Sequence, residues 1–134
     1  MKVFIVDDYK DYSLTLRDKF EIEGHESEFC LFSTEVVERA LNYKPDWVVL
    51  DVRMPEKSGA VVYQELNKQA DFEFSTVFYS NYTKDPDIQK ELKEAGVPDA
   101  VIFQKTNDLD RDVKNKLIPS LRSKHLTGGN RGEQ

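Results

Sequence analysis

Five short apolar runs alternate with five longer amphipathic stretches, and that alternation leaves very few folds open to the chain. The runs are Val3-Phe4-Ile5-Val6, residues 28–31, Trp47-Val48-Val49-Leu50, Thr76-Val77-Phe78-Tyr79 and Ala100-Val101-Ile102-Phe103. They are rich in β-branched and aromatic side chains and nearly continuous in their apolar character. Strands of a parallel sheet covered on both faces read this way.

The stretches between them have helical period and helical punctuation. Residues 11–23 read as a helix with Gly24 at its C-terminal end. Ser33 or Thr34 is a candidate cap for a helix reaching about Tyr43, which Lys44-Pro45 then breaks. Residues 59–70 carry the stripe Val62, Leu66, Ala70, spaced four apart. Asp85-Pro86 supplies an N-cap and a first-turn proline, Ile88, Leu92 and Ala95 form the buried stripe, and Gly96 closes the helix. Leu109, Val113, Leu117 and Leu121 define a last helix, which Pro119 is expected to kink or shorten. Strand followed by helix, five times over, predicts an α/β fold: a (βα)5 doubly wound parallel sheet. Right-handed crossovers favour the flavodoxin-like order 2-1-3-4-5.

The 134 residues suffice for one domain and are too few for two. The expected division is a domain over 1–122 and a disordered tail or linker start over 123–134, where three of the six glycines fall. With 19 basic against 25 acidic residues the net charge is −6, which argues against direct nucleic-acid binding. No run approaches the ~20 apolar residues of a membrane span, and the first apolar run is cut at once by Asp7-Asp8, so no signal peptide is expected. These features predict a cytoplasmic protein. The lone Cys30 sits in Phe29-Cys30-Leu31-Phe32 and reads as a small buried hydrophobe. His25 and His125 read as solvated surface residues.

Ligands of open α/β sheets gather at the carboxyl ends of the strands. Strand 1 ends in Asp7-Asp8, strand 3 in Asp51 and strand 4 in Ser80; strand 5 leads, two residues on, to Lys105. In the order 2-1-3-4-5 these ends are neighbours. Three carboxylates together repel unless a cation joins them, and hard oxygen donors with room for water suit Mg²⁺. Lys105 and the Ser80 hydroxyl add a positive charge and a donor. Such a set fits a phosphoryl group carried on a carboxylate nucleophile.

At these residues the chain resembles the receiver domain of two-component response regulators, particularly single-domain chemotaxis-type regulators. The resemblance covers about residues 2–122. Asp7-Asp8 match the acidic pair, and Asp51-Val52-Arg53-Met54-Pro55-Glu56-Lys57-Ser58-Gly59 is similar to the acceptor loop Asp-x-x-Met-Pro-x-x-x-Gly. Ser80 and Lys105 stand at the family's hydroxyl and lysine positions. The resemblance implies that Asp51 accepts a phosphoryl group and that Asp7, Asp8, Asp51 and the Arg53 backbone carbonyl bind Mg²⁺. It implies a histidine kinase or phosphotransfer protein as donor and a downstream protein target. The partner face would be formed by the fourth helix, fifth strand and fifth helix, through which a homodimer can also form. That face is expected to present Lys84, Lys90, Lys93, Asp108, Asp112 and Lys114. Ser80 is expected to reach the phosphoryl oxygens by an inward shift of the end of strand 4.

Three positions depart from the family pattern. Ile102 stands where an aromatic switch residue is usual, Thr106 replaces a proline after Lys105, and Asn81 replaces a small residue beside the acceptor. Of these, Asn81 and Ile102, together with Arg53, are candidates for tuning the response. Two other functions compete: an aspartyl-phosphate hydrolase, against which Arg53 argues by occupying the place of its second acid, and a receiver-like scaffold working without phosphate. The expected chemistry is otherwise limited to the chain's own phosphoryl transfer and hydrolysis, not that of an enzyme with a separate substrate.

Overall fold

The computed structural model describes residues 1–123 and the backbone of Leu126–Gly128. The elements alternate as expected: β1 Lys2–Val6, α1 Lys10–Ile22, β2 Glu26–Cys30, α2 Val36–Tyr43, β3 Trp47–Leu50, α3 Gly59–Gln69, β4 Glu73–Ser80, α4 Pro86–Glu94 and β5 Ile102–Gln104. The last helical stretch is built in three pieces, α5 Leu109–Asp112, a π-helical turn Val113–Leu117, and α6 Ile118–Arg122. The strands pair in parallel in the order β2-β1-β3-β4-β5. This is the flavodoxin-like doubly wound sheet. A sixth strand, β6 Leu126–Gly128, runs antiparallel to β4 from Glu73 to Ser75. The rest of the expected tail, including His125, lies outside the described residues.

Burial explains the sheet. All four residues of β3 and all but the first residue of β1 and of β4 are buried, as befits central strands covered by helices on both faces. β2 is an edge strand and alternates, exposing Glu26 and Glu28. Its pairing with β1 begins at Lys2↔Glu26, so the strand starts earlier than its apolar residues imply. Cys30 is fully buried, as expected.

Several local expectations are corrected. β5 is shorter and later than Ala100-Phe103, because Pro98 directs residues Asp99–Val101 into a 3₁₀ turn first. Ser33 does not cap α2. A 3₁₀ turn, Ser33–Glu35, comes first, and the Ser33 hydroxyl instead donates to the Pro55 carbonyl at 2.6 Å and accepts from the Lys57 N–H at 3.1 Å. Pro119 neither ends nor sharply breaks the last helix. The widened π turn before it accommodates the missing N–H and the ring that would strike the preceding carbonyl. His25 is half-buried, packed on Trp47 with ring centroids 4.6 Å apart and edge-on to Phe20, and its burial lowers its pKa. Asp112, expected on the partner face, is fully buried.

The start of α4 is as its sequence dictates. Asp85 Oδ1 accepts from the backbone N–H groups of Asp87 (2.9 Å) and Ile88 (3.3 Å), with Pro86 at the first position. Asp85→Ala is expected to cost about 1 kcal/mol, a fall in Tm of about 4 °C, while Asp85→Ser should recover most of it; thermal unfolding measures both.

Candidate functional site at the carboxyl edge of the sheet

Backbone hydrogen bonds run past the ends of the strands and set the site residues side by side. The Asp51 N–H donates to the Val6 carbonyl at 2.9 Å, and the Lys105 N–H to the Ser80 carbonyl at 2.9 Å. The Asp7 N–H reaches the Cys30 carbonyl at 3.2 Å. Each residue follows, or ends, a strand whose length is set by its apolar run. Sheet pairing therefore delivers their side chains to one cleft.

Asp7, Asp8 and Asp51 each offer a carboxylate oxygen, and these oxygens lie within 4.8 Å of one another. Asp7 and Asp51 are buried and Asp8 is exposed. Asp7 Oδ1 accepts from the Tyr9 N–H at 3.0 Å, and Asp7 Oδ2 from the Lys105 ammonium at 2.7 Å. That ion pair is nearly dry, with side-chain exposures of 9% for Lys105 and 5% for Asp7. Asp51 Oδ1 accepts from the Val52 N–H at 2.8 Å. Burial raises the Asp51 carboxyl above the ordinary carboxylate range, and the Asp7 charge adds to that. Hydrogen bonding from Ser80, the Lys105 charge and the Val52 N–H oppose it without prevailing. The charge balance is acidic, three carboxylates against one ammonium. That donor set fits a hard divalent cation, which the like charges require for close approach.

Ser80 is fully buried, and its hydroxyl also accepts from the Tyr82 N–H at 3.2 Å. The Ser80 hydroxyl lies close enough to the Asp51 carboxyl to lower its pKa. Arg53 lies beside the cleft with its guanidinium 4.5 Å from the Tyr82 ring centroid and 3.3 Å from Asp85 Oδ2. Asn81 also lines the cleft, and its carbonyl accepts from the Gln104 amide at 3.0 Å. Ile102 is half-buried and lines a separate hollow with Thr83 and Leu92 behind the cleft.

Sequence reasoning missed the acceptor-loop brace from Ser33 and the aromatic wall of the cleft. Tyr12, on α1, stands with its ring centroid 4.1 Å from Lys105 Nζ. Its position four residues after Asp8, in the first turn of a helix that starts at the cleft, is the available signal.

The sequence matches the response regulator receiver domain over residues 3–111, and the chain belongs to that family. It is therefore a signalling module of two-component systems. Over 120 residues it is 27% identical to sporulation initiation phosphotransferase F of Bacillus subtilis (strain 168), spanning 88% of this chain and 94% of that protein. Over 71 residues it is 31% identical to response regulator MprA of Mycobacterium sp. (strain KMS), covering 53% of this chain and 31% of that protein's length. Among solved structures, the CheY-like receiver domain protein from Methanospirillum hungatei JF-1 shares the fold at a TM-score of 0.74 and 19% identity, over 90% of this chain and 92% of that one. The response regulator domain of Thermotoga maritima CheB does so at 0.73 and 25% identity, over 91% and 93%. Among the described residues no helix is long and apolar enough to cross a membrane.

Proposed function

We propose that Asp51 is the phosphoacceptor of this receiver domain and that its phosphorylation, assisted by Mg²⁺, controls partner binding. The observation that carries this reading is the convergence of Asp7, Asp8, Asp51, Ser80 and Lys105 from four strand ends on one cleft. Asp7, Asp8, Asp51 and the Arg53 backbone carbonyl would hold the metal, which when bound supplies positive charge for the phosphoryl oxygens. Asp51 attacks phosphorus through a carboxylate oxygen, an acyl phosphate bond forms, and the donor's bond to phosphorus breaks with its electron pair. Lys105 and the Ser80 hydroxyl bind phosphoryl oxygens, so Lys105 exchanges its contact with Asp7 for the new anion. Water later cleaves the acyl phosphate and regenerates Asp51. The chain thus catalyses only its own transfer and hydrolysis.

A histidine kinase or phosphotransfer protein is the donor. The relative named as a phosphotransferase of sporulation initiation favours a place within a phosphorelay. The readout face is that of α4, β5 and α5, on which Lys90, Lys93, Asp108 and Lys114 are exposed. A downstream protein, or a second copy of the chain, would bind there. Ile102 makes the response of this face smaller than an aromatic residue would, and Arg53, Asn81 and Ile102 together tune it. Residues 1–122 carry these functions in the cytoplasm, and 123–134 serve as a tail or linker start that pairs with β4 through Leu126–Gly128.

Incubation with acetyl phosphate and Mg²⁺ should add one phosphoryl mass to the wild type and none in EDTA. An unchanged wild-type mass, or a mass gain retained by Asp51→Ala, overturns the assignment.

A further inference from the structure

Beside the cleft, four polar side chains from four parts of the chain form one hydrogen-bonded network around the buried pair Tyr79 and Asp112. The Tyr12 hydroxyl donates to the Tyr79 hydroxyl at 3.1 Å, and the Tyr79 hydroxyl donates to Asp112 Oδ2 at 2.5 Å. Tyr79 and Asp112 are both buried, with exposures of 1% and 0%. The same carboxylate accepts from the Thr106 backbone N–H at 3.0 Å and from the Thr106 hydroxyl at 2.8 and 2.9 Å. Lys116 approaches Asp112 Oδ1 from the surface at 3.6 Å. Burial would raise the Asp112 carboxyl, but hydrogen bonds from Tyr79 and Thr106 outweigh it and hold the group below its ordinary range.

A buried carboxylate is costly unless its partners are specific and complete. Both hydrogen-bond partners of Asp112, Thr106 and Tyr79, lead to Lys105. Thr106 is its chain neighbour, so Asp112 ties the backbone that follows Lys105 to the last helix. Tyr79 holds Tyr12, whose ring lies under the Lys105 ammonium at 4.1 Å.

We infer that Asp112, acting through Thr106 on one side and through Tyr79 and Tyr12 on the other, is a positioning residue that holds the Lys105 ammonium in the acceptor cleft. The inference rests on the reading of Asp51 as phosphoacceptor only for its kinetic consequence. Lys105 needs such support because it must leave Asp7 for a phosphoryl oxygen without swinging into solvent. A flexible four-carbon stem does not guarantee that by itself.

The test uses the full chain and the variants Asp112→Asn and Tyr79→Phe, with thermal unfolding to establish that each folds. The Lys105 ε-methylene protons should resonate upfield in the wild type because the Nζ they adjoin lies 4.1 Å from the Tyr12 ring centroid. In both variants that displacement should shrink by at least half. At saturating Mg²⁺ the rate of phosphorylation by acetyl phosphate should fall about tenfold in each, the size expected of a misplaced charge. In a Lys105→Ala background the same substitutions should change the remaining rate less than twofold, because their effect passes through Lys105. Unchanged Lys105 resonances in a folded variant, or an equal rate loss without Lys105, would overturn the inference. Tyr79→Phe keeps the ring that fills the core, and Tyr12→Phe at a partly buried position repeats the resonance test should Asp112→Asn not fold. A wild type that takes up no phosphoryl group refutes the Asp51 reading alone, and the resonances then decide the positioning role.

Discussion

Asp51→Asn is expected to stabilise the protein by about 1–3 kcal/mol at neutral pH while abolishing phosphoryl uptake. Asp51 is 7% exposed, and its ionised carboxylate sits beside that of Asp7. Burial, then Asp7, raises its pKa in the folded protein, so the ionised form costs folding free energy. Asparagine keeps the shape and the acceptor for the Val52 N–H but removes the charge. The pH dependence has a definite sign. A carboxyl raised on folding destabilises at pH above its folded pKa, and that cost vanishes as the pH falls below its unfolded value of about 3.9. The stability gap between Asp51→Asn and wild type should therefore be full above Asp51's raised pKa and close on acidification through it. Denaturant unfolding at a series of pH values measures it. If Asp51→Asn is the less stable protein at pH 7, or the gap widens toward acid, burial of this charge is not a net cost. Adding Mg²⁺ should raise the Tm of the wild type more than that of Asp51→Asn, since the metal would lose one of its carboxylates.

Gly59→Ala is expected to cost about 3 kcal/mol, or about 10 °C in Tm, and to slow phosphorylation of whatever folds. A Cβ built on Gly59 would stand 2.1 Å from the Asp51 carbonyl oxygen and 3.0 Å from the Val52 Cα. Both neighbours are backbone atoms, so no rotamer change relieves the clash. The Gly59 N–H also donates to the Val52 carbonyl at 3.1 Å, which folds the acceptor loop back onto the start of α3. Opening that closure by even a fraction of an ångström would move Asp51 itself. The glycine of the acceptor motif is thus needed for close approach of two backbones, not for an unusual φ. A variant with wild-type Tm and wild-type phosphorylation rate would show that the loop can shift at no cost.

The acceptor cleft shows how the two levels of information divide. Asp7, Asp8, Asp51, Ser80 and Lys105 were legible because each sits where an apolar run stops. In a parallel sheet the place where a strand stops is also the place where ligands bind. The motif spacing after Asp51 added the loop that Gly59 closes. The third strand, the cap of α4 and the stripe of α3 follow the sequence closely for the same reason, since apolar run length, Asp-Pro and i, i+4 spacing are local quantities. β5 starts later than its apolar run because Ala100 and Val101 are apolar whether they lie in a strand or in the turn after Pro98.

What the sequence by itself determined is the alternation of elements, the order of the sheet and the set of residues at its carboxyl edge. Near neighbours and the handedness of crossovers are enough to specify these. What only the tertiary structure decided is how that edge is braced. Tyr12 and Tyr79 are 67 residues apart, and Tyr79 and Asp112 are 33 apart. In the sequence Asp112 is a charged residue beside an apolar stripe, and charge ordinarily places such a residue in solvent. Its burial becomes tolerable only when the hydroxyls of Tyr79 and Thr106 and the N–H of Thr106 converge on it. That convergence is a property of the packed core and of no segment alone.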